Sequence, residues 1–211
     1  MYEVKGFLAY LSHLDMMRLW QRAMLRSQLP VSWSKGYNPR PRLSLGPAKG
    51  VGIAGCGEYI DMELDSYHLA ADVMAKLNAV LPSDLRVLKA RELPEGSKLL
   101  EAVINCAEYE MAFPSGTTDE LAAGVSAFMA LEICPFVRHS PKGDKTVDLR
   151  NFVRSLRIDG ENLVLDAKVG PQGAIRPEEI LTELGYKSII GTIKITRRAL
   201  YIEKNGGRSN P

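Results

Sequence analysis

Three arginines, Arg18, Arg22 and Arg26, stand four residues apart near the start of the chain. On a helix each step of four advances a side chain by about 400°, so the row drifts by only about 40° per step and shares one face. No acid follows Asp15 within that segment to pair with it. A planar guanidinium grips two oxygens at once, so the row reads as a track for phosphates. The other reading is a solvated face whose acidic partners come from elsewhere in the fold. Shortly after comes Lys35-Gly36-Tyr37-Asn38-Pro39-Arg40-Pro41-Arg42. Gly36 and Asn38 tolerate left-handed backbone, while Pro39 and Pro41 stiffen what lies between, so Arg40 and Arg42 are presented at low ordering cost. Tyr37 among them could stack on a base, which is how single-stranded RNA is held beside basic side chains. Were Tyr37 a core residue, the prolines would merely shape a crossover.

His13 falls in the first turn of the same helix, where amide dipoles favour a neutral imidazole. With Arg18 or Lys35 it has the residue types for metal-independent RNA cleavage, the imidazole activating a 2′-hydroxyl and the cation stabilising the phosphorane. A hydrogen-bonded structural role within the capping sequence Ser12-His13-Leu14-Asp15 is the simpler account. Elsewhere, Asp148 in Lys145–Arg150 reads as half of a structural ion pair with an arginine. Gly170 and Gly173 before Arg176-Pro177-Glu178 form a weak candidate anion cradle. Cys56, between two glycines, has no histidine near it in sequence.

The net charge of +2 conceals an asymmetry. Residues 1–50 carry eight Lys and Arg against Glu3 and Asp15, a local +6, leaving −4 for the remainder. Residues 138–157 hold six basic against two acidic side chains, and residues 187–211 hold six against Glu203. One-signed segments of this kind attract polyanions. Three cysteines (Cys56, Cys106, Cys134) and three histidines (His13, His68, His139) are scattered. That spacing excludes a disulfide framework and a zinc or iron–sulfur triad, so neither metal nor cofactor is expected, and the compartment implied is the reducing cytoplasm. No apolar run approaches the roughly 20 residues of a membrane span, and no signal segment opens the chain.

The elements that must position these residues follow from periodicity. Residues 7–11 read as a strand, followed by a helix capped by Ser12 and running to about Gln28, with Met16, Leu19, Trp20, Ala23 and Met24 on its apolar side. A short strand at 31–35, the proline turn, a strand at 42–45, a strand at 58–65, a helix at 69–81 and a strand at 85–90 complete the first half. The second half repeats the order: a strand at 102–112, a helix at 118–131 capped from Thr117 or Thr118, strands at 133–139 and 147–158, and a strand at 162–169 paired around Asp159-Gly160. A helix at 176–184 and a strand at 192–203 close it. With one strand more between its helices than the motif requires, each half is read as β-α-β-β-α-β, so the expected fold is α+β with two tandem ferredoxin-like domains, 1–94 and 98–204, and a fraying tail at 205–211.

Several strings, in order, carry a resemblance: L-S-H-L-D (Leu11–Asp15), K-G-Y-N-P-R-P-R-L-S (Lys35–Ser44), E-Y-I-D (Glu58–Asp61), K-T-V-D-L-R (Lys145–Arg150), V-G-P-x-G-x-x-R-P-E-E (Val169–Glu179) and R-R-A-L-Y (Arg197–Tyr201). They resemble the radical-SAM-linked family of bacterial proteins across nearly the whole chain. Relatives often place a histidine where Arg40 stands, which favours anion binding over catalysis in this loop, and the opening strand looks clipped beside theirs. A fold-level similarity to the CRISPR-associated RAMP RNA-processing proteins is weaker. The basic helix face and the proline-braced loop lead to an RNA-binding accessory module acting through Arg18, Arg22, Arg26, Lys35, Tyr37, Asn38, Arg40 and Arg42, and the resemblance implies that it works with a radical SAM enzyme in tRNA or rRNA modification. The chain lacks the thiolates to hold a cluster itself. Two alternatives stand beside this: a metal-independent endoribonuclease using His13, and a scaffold that docks the radical SAM protein.

Overall fold

In the computed structural model, which describes every residue except 95, 115–117, 142 and 171–172, the opening strand is β1 (Tyr2–Val4) and not residues 7–11. Gly6 ends it with φ +54°, and a Cβ at Gly6 would collide with the Asp84 carboxylate. The chain then winds into a 3-10 turn over Gly6–Tyr10 that leaves Phe7 89% exposed. The apolar residues of 7–11 had suggested a strand, but the glycine before them turns the backbone away from the sheet.

Helix α1 (His13–Arg26) matches its pattern. The Ser12 hydroxyl accepts from the Asp15 amide at 3.2 Å and donates to the Asp15 carboxylate at 2.7 Å, so one acid completes the cap. Met16, Trp20, Ala23 and Met24 are buried, and Trp20 meets Tyr2 of β1 edge-on at 5.0 Å between ring centroids. The helix stops because Gln28 takes φ +55°, the left-handed conformation that helix ends use, and Pro30 cannot continue the ladder. After it come β2 (Leu43–Leu45), β3 (Ala54–Glu58) and β4 (Ile60–Met62). Helix α2 (Ala70–Asn78), β5 (Leu85–Val87) and the short α3 (Leu100–Val103) follow. Residues 102 and 103, expected in a strand, therefore close a helix.

These elements form the first of two compact units, Met1–Ile104 together with Ala199–Pro211. Its strand order is β5-β1-β3, then the C-terminal strand, with β1 antiparallel to both neighbours. β2 pairs separately with β4, Leu43 opposite Met62 and Leu45 opposite Ile60. The core joins Tyr2, Val4, Trp20, Met24, Leu77 and Leu85. The Asn78 side chain fastens α2 to β5, bonding both the N–H and the C=O of Val87 at 2.8 and 3.0 Å.

The second unit, Asn105–Arg198, holds β6 (Cys106–Ala112), α4 (Thr118–Ala130), β7 (Pro135–Arg138) and β8 (Lys145–Asp148). β9 (Val153–Asp159), β10 (Asn162–Lys168), α5 (Pro177–Glu183) and most of the first half of β11 (Lys194–Lys204) complete it. The Thr117 cap lies outside the described residues, as does the Thr118 side chain. β9 and β10 form the expected hairpin, Gly160 supplying φ +61° at its turn. The strand order is β11-β6-β10-β9, and β7 and β8 pair off this sheet. The break between units thus follows Ile104, later than the stretch at 95–97, and the chain returns to the first unit at Ala199. The tail does not simply fray: β12 (Gly207–Ser209) pairs with β11, and the Arg208 guanidinium lies 4.0 Å above the Tyr201 ring.

Candidate nucleic-acid interface

Capping and periodicity place Arg18, Arg22 and Arg26 on one exposed side of α1, and all three line one groove of about 620 Å³. Leu8, Leu11, Asp15, Leu19 and the turn Val80–Pro82 form the rest of its wall. The arginines differ in their partners. Arg18 reaches Asp15 at 3.0 Å, and Arg26 donates to the Val80 carbonyl at 3.0 Å. Among the described residues Arg22 has no hydrogen-bond or ion-pair partner. The Ser12 hydroxyl, and after it Arg18, hold the Asp15 carboxyl below the usual carboxylate range.

The loop is a small antiparallel ribbon. Ser34 N–H donates to the Arg40 carbonyl at 2.8 Å, Arg42 N–H to the Ser32 carbonyl at 2.8 Å, and Arg40 N–H to the Ser34 hydroxyl at 3.0 Å. Trp33 and Pro41 face each other across it, and Pro41 is buried. That pairing holds Lys35, Gly36, Tyr37, Asn38 and Pro39 out as a tip, Gly36 at φ +146°. Tyr37 is 100% exposed, which removes the core alternative for it. Among the described residues the side chains of Lys35, Tyr37, Asn38 and Arg40 have no partner. Arg42, at the base, is already paired with Glu63 at 2.6 Å.

The structure therefore divides the expected basic surface. The arginine row lines the groove, whereas no loop residue does. His13 lies at the helix start, half-buried, and among the described residues nothing bonds its ring, so no second side chain orients it as a base.

Other expectations resolve into structure. Among the described residues Asp148 makes no ion pair with an arginine. Its carboxylate accepts from the backbone N–H of Cys134 and Arg150 at 2.8 and 3.0 Å, capping the turn after β8. The Arg150 guanidinium instead donates to the Leu131 carbonyl at 2.9 Å and lies 5.6 Å from the Phe128 ring centroid. Of the Gly170–Gly173 cradle, residues 171–172 lie outside the described residues. The helix start beside it is occupied by a carboxylate of the chain itself: Glu179, buried, accepts from Arg176 N–H at 3.0 Å and takes two bonds of 2.7 Å from Arg138. Arg138 also donates to the Ala174 carbonyl at 2.8 Å. Sequence reasoning missed this pair, whose members are 41 residues apart with no shared periodicity. It also missed the exposed apolar side chains at Phe7, Tyr10 and Leu14. Burial pushes the Asp61 carboxyl and the Tyr59 hydroxyl up, with Arg91 opposing both.

Fold and surface define an α+β protein with one cation-bearing aromatic turn and one arginine-edged groove. Residues 1–177 match the family described as an uncharacterized protein conserved in bacteria (DUF2344), and the chain belongs to that family. Among curated proteins none matches it. No helix among the described residues is long and apolar enough to cross a membrane.

Proposed function

We infer that the protein is an RNA-binding accessory module, and that the tip Lys35–Arg40 is the surface that holds single-stranded RNA. One observation carries the reading: a tyrosine with its whole ring in water, fixed on a hydrogen-bonded ribbon between two cations that have no internal partner among the described residues. A ring presented this way offers a face on which a base can stack while Lys35 and Arg40 take the flanking phosphates. Asn38 adds a free amide for a base edge. Arg42, neutralised by Glu63, contributes support more than affinity.

Strand order supports the finer fold reading. In the second unit β6, α4, β9, β10, α5 and β11 give the order last-first-third-second of a ferredoxin-like unit, with β7 and β8 inserted after its first helix. The first unit reads the same way if β3 and β4, separated only by Tyr59, count as one bent strand. The radical SAM partner, and tRNA or rRNA as the target, rest on the resemblance of the motif strings. The three free cysteines fit the cytoplasm. No observation favours the nuclease reading of His13.

Fluorescence anisotropy with oligouridine and with tRNA, at several salt concentrations, tests this. Binding should weaken steeply with salt. Tyr37→Ala should cost about 1–3 kcal/mol, roughly 5- to 150-fold in affinity. Lys35→Gln and Arg40→Gln should each reduce the salt slope by about 1. Affinity that ignores salt, or survives Tyr37→Ala unchanged, would overturn the reading.

A further inference from the structure

The groove beside α1 differs chemically from the loop. Its floor is aliphatic, with Leu11, Leu19 and Leu81 half-buried, and among the described residues no aromatic ring lines it. Along it Arg18, Arg22 and Arg26 recur every four residues, about 6 Å apart along the helix axis. The acid in the lining, Asp15, is engaged by Ser12 and Arg18, so it leaves Arg22 unneutralised.

The geometry points to a docking site for an acidic amphipathic helix of a partner protein. Carboxylates four residues apart on such a helix recur at the same spacing of about 6 Å, so a helix lying along α1 sets one acid near each guanidinium. Its aliphatic stripe covers the leucine floor, the usual helix-in-groove arrangement. RNA suits this groove poorly, because it would set sugars and phosphates against leucines and find no ring on which to stack a base. Arg18 keeps Asp15 until an incoming carboxylate competes, and Arg26 keeps one bond to Val80, so Arg22 is the first anchor. The site is independent of the RNA reading, since no loop residue takes part in it.

The test uses the full chain and a labelled synthetic helix bearing Glu every fourth residue on one edge and Leu along the next. A copy with every Glu replaced by Lys and a copy with every Leu replaced by Gln are the controls. In fluorescence anisotropy the acidic helix should bind and both controls should fail. Arg22→Glu should weaken binding by about tenfold or more, and Arg22→Gln by less, with unchanged circular dichroism because Arg22 bonds to nothing among the described residues. Tyr37→Ala should leave the helix bound as before. Equal binding of the Glu and Lys peptides, indifference to Arg22→Glu, or displacement of the peptide by oligouridine would each overturn the assignment, the last giving the groove to nucleic acid.

Discussion

The buried pair of Arg138 and Glu179 offers the sharpest test of the packing. Glu179 is 6% exposed at its side chain and Arg138 23%, and their two 2.7 Å bonds are joined by Arg176 N–H on the carboxylate and the Ala174 carbonyl on the guanidinium. Glu179→Gln keeps the shape but leaves the guanidinium with a neutral partner. Arg138→Met leaves the carboxylate with the single backbone donor. Breaking a buried pair from one side costs about 3–5 kcal/mol. Because Arg138 is partly hydrated, the lower end applies, about 3 kcal/mol for either single variant. In a chain of this size each kcal/mol shifts Tm by about 2–4 °C, so each should melt about 6–12 °C early. The double variant has no orphaned charge, so its loss should be smaller than the summed singles. Thermal and urea melts of the four proteins complete the cycle. Additive losses, or a single loss below about 1 kcal/mol, would refute the claim that the pair is desolvated and mutually dependent.

Gln28→Gly should raise stability by up to about 1 kcal/mol, since a left-handed residue closes α1, and urea melts check this. In native protein, iodoacetamide should label Cys56 while Cys106 and Cys134 resist until unfolding. Cys56 is exposed, the other two are buried, and burial followed by Glu183 pushes the Cys134 thiol up to about 11; intact mass reads the outcome. The Asp15 carboxyl is held below its unfolded value, so the stability it contributes is present above the unfolded pKa and disappears as pH falls through the folded one. The Tm gap between the parent chain and Asp15→Asn should therefore close on acidification below about pH 4.

What the sequence disclosed was local. Ser12, Asp15 and the apolar spacing from Met16 to Met24 define α1, because cap and period lie within one segment. Asp159-Gly160 marks the β9–β10 hairpin for the same reason. Gly36, Pro39 and Pro41 identify the exposed turn, although the Ser34–Arg40 ribbon that holds it emerges only from the coordinates. Long-range features stayed hidden. The groove needs Val80–Pro82 against α1, and the Arg138–Glu179 pair needs β7 against α5. The arginine row was legible as a face, but not the leucines beside it, and those leucines separate its chemistry from that of the loop. Residues 7–11 misled because apolar content alone suggested a strand, while the steric demand at Gly6 comes from Asp84, far along the chain.

Photo-crosslinking tests the central claim most directly. Single-stranded RNA carrying 4-thiouridine would be irradiated with the intact protein and the attached peptides sequenced by mass spectrometry. Crosslinks concentrated on Tyr37 and its neighbours from Lys35 to Arg40, and lost in Tyr37→Ala, are the predicted result. Crosslinks spread over the surface, or confined to residues outside that tip, would contradict it.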